Sequence, residues 1–177
     1  GSRLHASGLP PLNANFEKVI LADMQKLTGG MILLIAITLL IMFIHPMGAV
    51  IPVGVVLLSG AWAMGFQATM GIPVTGITSI LPAFLVCVGI ADSIHLMSVY
   101  RQRMMEGIDS KEAAIRAVAD TGKPIFFTSL TTATGMLSFV FATVDAIGDM
   151  GKAGAFGVMT AFFITLTLLP VMLSFNK

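Results

Sequence analysis

The chain has 177 residues, is 56% hydrophobic and only 11% charged, and has a mean hydropathy of +0.93, whereas soluble domains carry roughly 25% charged residues. The core of a soluble fold of this size is too small to hide so much apolar surface, so the composition predicts an integral membrane protein. The formal net charge of +1 indicates no charged partner. No basic run with interleaved aromatic residues is present, so we expect no nucleic-acid ligand.

The predicted elements begin with a polar segment, residues 1–26, which we place outside the membrane. Leu9-Pro10-Pro11 predicts a break, and residues 13–26 carry apolar side chains at helical spacing, which predicts a short interfacial helix. Residues 27–177 form the predicted transmembrane domain, with a tight link at His45-Pro46-Met47 and a loop at residues 145–152. Five apolar segments of this domain are long enough to cross a bilayer: Leu27–Ile44, Gly48–Met70, Thr75–Tyr100, Pro124–Val144 and Ala153–Phe175.

Residues 101–123 are the one long hydrophilic segment within this domain. Asp109 and Glu112 predict a capping box, and Gly122 before Pro124 predicts a helix end, so we expect a short helix on the membrane surface. Five cationic residues predict that the segment is cytoplasmic: Arg101, Arg103, Lys111, Arg116 and Lys123. Counting spans from there places the N-terminus outside and the C-terminus in the cytoplasm. Because no signal peptide precedes the spans, we expect a further helix upstream in the complete protein.

The third predicted span carries two ionisable residues, Asp92 and His95, three positions apart and therefore on one helix face. A charge at the bilayer centre costs on the order of 2.5–3.5 kcal/mol on insertion scales, so this face should meet protein, water or a partner charge. One interpretation is a proton relay, because a carboxyl group poised between burial and a neighbouring imidazole can load and release a proton. The alternative is a buried polar pair that only locks two helices together. Gly89, one turn earlier, either admits a facing helix or water beside the carboxylate or serves ordinary packing.

Hydroxyl side chains are concentrated in the fourth predicted span, at residues 128–134. We select Thr128, Thr131 and Thr132 as candidate supporting residues that could line a wet path beside Asp92. Alternatively, each hydroxyl bonds to a carbonyl one turn earlier or joins neighbouring helices.

An enzyme interpretation finds little support. Residues 89–92 come near the GxGD pattern of intramembrane aspartyl proteases, but Ala91 replaces a required glycine, and the second carboxylate that this chemistry needs would have to come from the predicted loop 145–152. Cys87 lies about two helical turns from His95, too far for a thiolate pair, and one cysteine makes no internal disulfide. The histidines and acids do not cluster beyond one pair. We expect no enzyme, metal or cofactor.

Four stretches of the sequence together resemble the RND superfamily, and most closely its MMPL-like exporter branch, which is related to Patched and to sterol-sensing domain proteins. They are VGIADSIHLM at Val88–Met97, SKEAAIRAVADTGKPI at Ser110–Ile125, FTSLTTATGMLSF at Phe127–Phe139, and GAFGVMTAFFITLTLLPVML at Gly154–Leu173. Their order is specific, although no single stretch is. The resemblance covers most of Ala22–Phe175.

The resemblance implies that these are spans two to six of a six-span half, with the first span and a large extracytoplasmic domain upstream. It also implies that Asp92 matches the intramembrane acid that family members use for proton- or cation-coupled export, with a partner on a second half. Ser93 and His95 look like the exporter branch. The sequence lacks the adjacent acids of Patched-like proteins and the tyrosine of mycobacterial relatives, which leaves the coupling ion open.

We therefore predict an all-α polytopic domain, half of a proton-driven exporter of hydrophobic or lipid-like substrates in the bacterial inner membrane. Asp92 is the predicted coupling residue, with His95 and the hydroxyl groups as helpers. The expected partners are membrane lipids, the substrate, protons and the remainder of the same transporter, and a homo-oligomer is compatible with this scheme. The alternative is a lipid- or sterol-sensing membrane module that does not transport.

Overall fold

A computed structural model describes residues 9–43 and 46–174, and the regular structure in these ranges is entirely helical. The five α-helices are α1 (Leu9–Phe43), α2 (Pro46–Thr69), α3 (Leu81–Met105), α4 (Ser110–Ser138) and α5 (Asp145–Ser174). Short 3-10 turns at Thr78–Ile80 and Phe139–Phe141 precede α3 and follow α4. The predicted all-α class is confirmed for the described residues.

Four helical segments in the described residues are long and apolar enough to cross a membrane. They are Val50–Thr69, Thr78–Met105, Ser110–Phe141 and Asp145–Ser174. The apolar part of α1 that meets these criteria for composition is shorter, Gly29–Ile41. Four of the five predicted spans are therefore confirmed by length and composition. The first, Leu27–Ile44, stays a prediction, because it extends past the side chains that the structure describes.

The prediction of a separate interfacial helix at residues 13–26 was wrong. α1 continues without interruption from Leu9 to Phe43, so residues 13–26 do not form a separate helix. Pro10 and Pro11 lie in the first turn, where backbone N–H groups have no intrahelical partner and proline is tolerated. Residues 1–8 of the predicted polar segment, and His45 of the predicted tight link, lie outside the described residues.

The prediction of a separate surface helix that ends before Pro124 was also wrong, because α4 continues through Pro124 as one helix of 29 residues. Buried side chains recur every three or four positions along its whole length: Ala113, Ala117, Thr121, Ile125, Ser129, Ala133 and Met136. This continuous stripe packs against neighbouring helices, which outweighs the local cost of one proline. Asp109 caps α4 as predicted and accepts a hydrogen bond from the Lys111 backbone N–H at 3.3 Å, but Glu112 pairs with Arg116 at 2.8 Å.

The predicted loop at residues 145–152 is the beginning of α5. Gly148 and Gly151 are buried there, and a Cβ atom on Gly151 would lie 2.5 Å from the carbonyl oxygen of Met136. The missing side chain allows the first turns of α5 to approach the end of α4 closely. This packing stabilises helix in a segment whose local composition predicted a loop.

α5 packs against α2, α3 and α4, and α3 lies in contact with both α2 and α4. At one end of the bundle, the Tyr100 hydroxyl lies 3.0 Å from the Ser110 hydroxyl and donates to the carbonyl of Leu173 at 3.3 Å. Ser110 donates to the same carbonyl at 3.1 Å. That carbonyl belongs to the last turn of α5, where it lacks a helical partner. These bonds tie the end of α3, the start of α4 and the end of α5 together.

Candidate functional site

Asp92 lies at the middle of a membrane-length segment. It is 14 residues after the first and 13 residues before the last residue of Thr78–Met105, which at 1.5 Å per residue places it about 20 Å from either end. The residue is only 9% exposed. The structure therefore places this acid at the middle of the segment and largely away from the chain's surface.

Among the described residues, Ser129 of α4 is the side chain that forms a hydrogen bond with this carboxylate. Its hydroxyl donates to Oδ2 of Asp92 at 3.4 Å, and the residue is 1% exposed. An ionised carboxylate offers about four acceptor positions, so this bond leaves others available to water or a proton. The supporting residues predicted from the sequence were neighbouring threonines, and Ser129 was not among them. The signal that identifies Ser129 is its place on the buried stripe of α4, four residues after Ile125 and four before Ala133.

A cavity of about 410 Å³ lies beside Asp92 between α3 and α4. Its polar lining residues are Asp92, His95, Thr128, Ser129 and Thr132, and the remaining lining is apolar. At a liquid volume of about 30 Å³ per molecule, the volume of the cavity equals that of roughly 14 waters. The structure thus brings four of the predicted site residues, Asp92, His95, Thr128 and Thr132, to one cavity that is large enough for water. His95 is exposed.

The threonine hydroxyl groups donate within α4. Thr128 donates to the carbonyl of Ile125 at 2.9 Å, and Thr132 donates to the carbonyl of Thr128 at 2.8 Å. Thr131 donates to the carbonyl of Phe127 at 2.9 Å, is exposed, and is not among the residues lining the cavity. Thr128 and Thr132 therefore offer the cavity oxygen acceptors, whereas Ser129 directs its donor to Asp92.

Gly89 lies at the contact between α3 and α2, and neither Gly89 nor Ser93 lines the cavity. A Cβ atom on Gly89 would come within 2.9 Å of Cγ2 of Val56 in α2, so the space that this glycine leaves is occupied by α2. The Ser93 hydroxyl donates to the Gly89 carbonyl at 2.7 Å, and both residues are buried. This arrangement fixes the rotation of α3 that presents Asp92 to α4.

No group of three or more histidine, cysteine or acidic side chains in the described part of the chain could hold a metal ion. Asp149 forms an ion pair with Lys152 at 3.0 Å in the first turns of α5, and Cys87 is exposed, with its sulfur 3.7 Å from that of Met31. Among the described residues, the Asp92 carboxylate is therefore hydrogen-bonded to the Ser129 hydroxyl, and Asp149 is paired with Lys152 instead.

Comparisons with known proteins show which proteins this chain resembles in sequence. A membrane protein of Methanocaldococcus jannaschii is 28% identical over 173 residues, which cover 98% of this chain and 45% of that protein. The sulfolipid-1 exporter MmpL8 of Mycobacterium tuberculosis is 26% identical over 155 residues, covering 85% of this chain and 14% of the exporter. The hopanoid transporter HpnN of Rhodopseudomonas palustris is 25% identical over 174 residues, which cover 98% of this chain and 20% of that transporter.

The chain thus spans less than half the length of these curated relatives. No solved structure matches it. The family model described as the MMPL family matches residues 1–176, which is nearly the whole chain. This is a family of transporters and not of enzymes. The chain belongs to the MMPL family of RND-type membrane transporters.

Proposed function

We propose that this chain supplies one membrane half of an exporter that uses the proton-motive force to move hydrophobic or lipid-like substrates, with Asp92 as the proton-coupling residue. The observation that carries the proposal is a 9% exposed carboxylate at mid-span that borders a cavity of about 410 Å³. An ionisable group at that depth is expensive and marks an ion pathway more often than a structural contact. Two relatives bear the names of a sulfolipid-1 exporter and a hopanoid transporter, which supports lipid-like substrates.

In the proposed mechanism, Asp92 exchanges its proton with water in the cavity, and His95 relays protons at the exposed side of the same space. As a carboxylate, Asp92 only accepts hydrogen bonds, and as a carboxylic acid it also donates one. Protonation therefore changes the partner that Ser129 meets at 3.4 Å. Because this bond joins α3 to α4 at mid-depth, a change in protonation alters how the two helices pack. Thr128 and Thr132 accept hydrogen bonds from the water that fills the cavity.

The architecture around this site is also proposed. α1, with 35 residues and a length of about 52 Å, serves as the first of five spans in this chain, and these correspond to spans two to six of an RND half. Residues 1–26 adjoin an extracytoplasmic domain. The cationic residues at positions 101–123 support a cytoplasmic placement of the ends of α3 and α4, which puts the N-terminus outside and the C-terminus in the cytoplasm of a bacterial inner membrane. The remainder of the transporter supplies the second half.

The test is substrate efflux from proteoliposomes that contain the complete protein under an imposed pH gradient. Asp92→Asn removes the titratable proton but keeps the size of the side chain, and we expect it to lower gradient-driven efflux at least about tenfold. Asp145→Asn is the matched control. It makes the same chemical change at the exposed first residue of α5, and it should transport like the wild type.

Size-exclusion profiles and membrane insertion are measured for both variants, so that loss of folding is distinguished from loss of coupling. If a folded Asp92→Asn protein transports as well as the wild type, or if the wild type ignores the gradient, proton coupling through Asp92 is wrong. A lipid-sensing module without transport then becomes the better interpretation.

A further inference from the structure

A second cavity, of about 460 Å³, lies between the first half of α4 and the last third of α5. Its walls are mainly apolar, and its principal lining side chains are Lys111, Ile115 and Val118 of α4 and Leu166, Pro170 and Val171 of α5. It shares no lining residue with the cavity beside Asp92. From Lys111 to Val118 the groove runs along seven residues of α4, or about 10 Å, a length that suits part of one acyl chain.

The charge at the rim of this groove is not neutralised within the described part of the chain. Each of the four acidic side chains in residues 101–123 already has a partner. The pairs are Glu106 and Asp120 with Arg103, Glu112 with Arg116, and Asp109 with the backbone N–H of Lys111. The Lys111 ammonium group forms no ion pair or hydrogen bond with described residues, and the residue is exposed.

The other polar groups of the lining donate internally. The Thr167 hydroxyl donates to the carbonyl of Phe163 at 2.6 Å, and the Ser174 hydroxyl donates to the carbonyl of Val171 at 2.7 Å. Lys111 is therefore the one side-chain donor of this lining, among described residues, that remains for a ligand. An apolar groove with a single cation at its mouth complements a molecule that has an apolar tail and an anionic head.

We propose that this groove binds a phospholipid with an anionic headgroup. Lys111 contacts the phosphate, and one acyl chain lies along Ile115, Val118 and Leu166. Lys111 lies at one end of this groove, on the cationic segment 101–123 for which we propose a cytoplasmic placement, and the groove runs from it along α4 towards Val118. Basic pockets between membrane helices on the cytoplasmic side commonly hold anionic lipid heads. The proposal does not depend on proton coupling, because it involves neither Asp92 nor its cavity.

The test measures retention of phosphatidylglycerol and phosphatidylcholine by the complete protein, purified in detergent, using native mass spectrometry. Lys111→Gln should lower the affinity for phosphatidylglycerol about fivefold, since one basic residue near the surface contributes about that factor. Lys123→Gln is the matched control. It makes the same change in the same helix outside the groove and should leave retention unchanged. Ile115→Trp, at a position 65% exposed and therefore tolerant of a larger side chain, should fill the groove and displace the lipid with Lys111 intact.

Several results would overturn the proposal. Equal losses in Lys111→Gln and Lys123→Gln would indicate diffuse surface charge, and equal retention of the two lipids by the wild type would exclude recognition of the headgroup. Displacement of phosphatidylglycerol by inorganic phosphate alone would indicate a site for free anions. Normal lipid binding by folded Ile115→Trp would place the acyl chain elsewhere. Lys111→Gln changes only an exposed side chain, so its result remains decisive if the tryptophan variant fails to fold.

Discussion

Gly151→Ala should destabilise the protein because its new methyl group meets the backbone. The Cβ atom would lie 2.5 Å from the carbonyl oxygen of Met136 and 3.0 Å from Cβ of Phe139, whereas favourable contacts between heavy atoms begin near ~3.5 Å. The end of α4 would have to retreat by up to about 1 Å. Overpacking costs about 1–3 kcal/mol, and alanine recovers about 1 kcal/mol over glycine in a helix. The net loss is therefore between about 0 and 2 kcal/mol, and since a backbone obstacle cannot rotate away, we expect a value near the upper limit.

Two further glycines calibrate this value. A Cβ atom on Gly154 would overlap the terminal methyl of Met136, a flexible group that can adopt another rotamer, so Gly154→Ala should cost less. A Cβ atom on Gly122 would lie 3.9 Å from Cδ1 of Leu166, an ordinary contact, so Gly122→Ala should be neutral or stabilising by up to about 1 kcal/mol.

The assay is unfolding of the complete protein in detergent micelles, followed by scanning fluorimetry and denaturant titration. The expected order of stability is Gly122→Ala, then Gly154→Ala, then Gly151→Ala. If Gly151→Ala were as stable as Gly122→Ala, the close approach of α5 to the end of α4 would be wrong. If Gly154→Ala were the least stable, the distinction between a backbone and a side-chain obstacle would fail.

Two other substitutions test contacts described above. Ser129→Ala removes the hydrogen-bond donor to Asp92. Hydrogen bonds to charged groups contribute about 1.5–3 kcal/mol, and the 3.4 Å separation favours the lower value, so gradient-driven efflux should fall roughly tenfold. Thr131→Ala, which removes a hydroxyl group that bonds within α4, should leave efflux unchanged, and equal effects of the two variants would contradict a specific role for Ser129. Tyr100→Phe removes the donor to the Leu173 carbonyl and should lower the free energy of unfolding by about 1 kcal/mol; an unchanged denaturant midpoint would show that this bond does not stabilise the junction of α3 and α5.

The central acid and most of the spans could be predicted from the sequence because they depend on local composition. A carboxylate within an apolar run stands out by hydropathy alone, and the geometry of Asp92 at mid-span follows from counting residues. Asp109 likewise has a cap signature that needs only its neighbours. These features are determined over a few residues, where a single sequence is informative.

The errors arose where packing over a distance outweighs local signals. Gly122 and Pro124 are strong local signs of a helix end, but the buried stripe that includes Thr121 and Ile125 continues on both sides of them. The glycines Gly148 and Gly151 predict a loop when only their neighbours in sequence are considered. They form helix because their lack of a side chain lets α5 pack closely against the end of α4. The choice among hydroxyl groups depended on recognising α4 as one continuous helix, since Ser129 and Thr131 both carry a hydroxyl group and only Ser129 lies on the buried stripe.

Because α4 is one continuous helix, a tilt at one of its ends would move its other end as well. Ser129 and the charged turns near Ser110 belong to one rod and lie 19 residues, or about 28 Å, apart. A tilt of about 10° about the contact with Asp92 would carry the charged end through about 5 Å. Because Ser110 is hydrogen-bonded to Tyr100 and Leu173, such a tilt would also be transmitted to the ends of α3 and α5. A break at Pro124 would have separated the two halves, and each would have moved independently of the other.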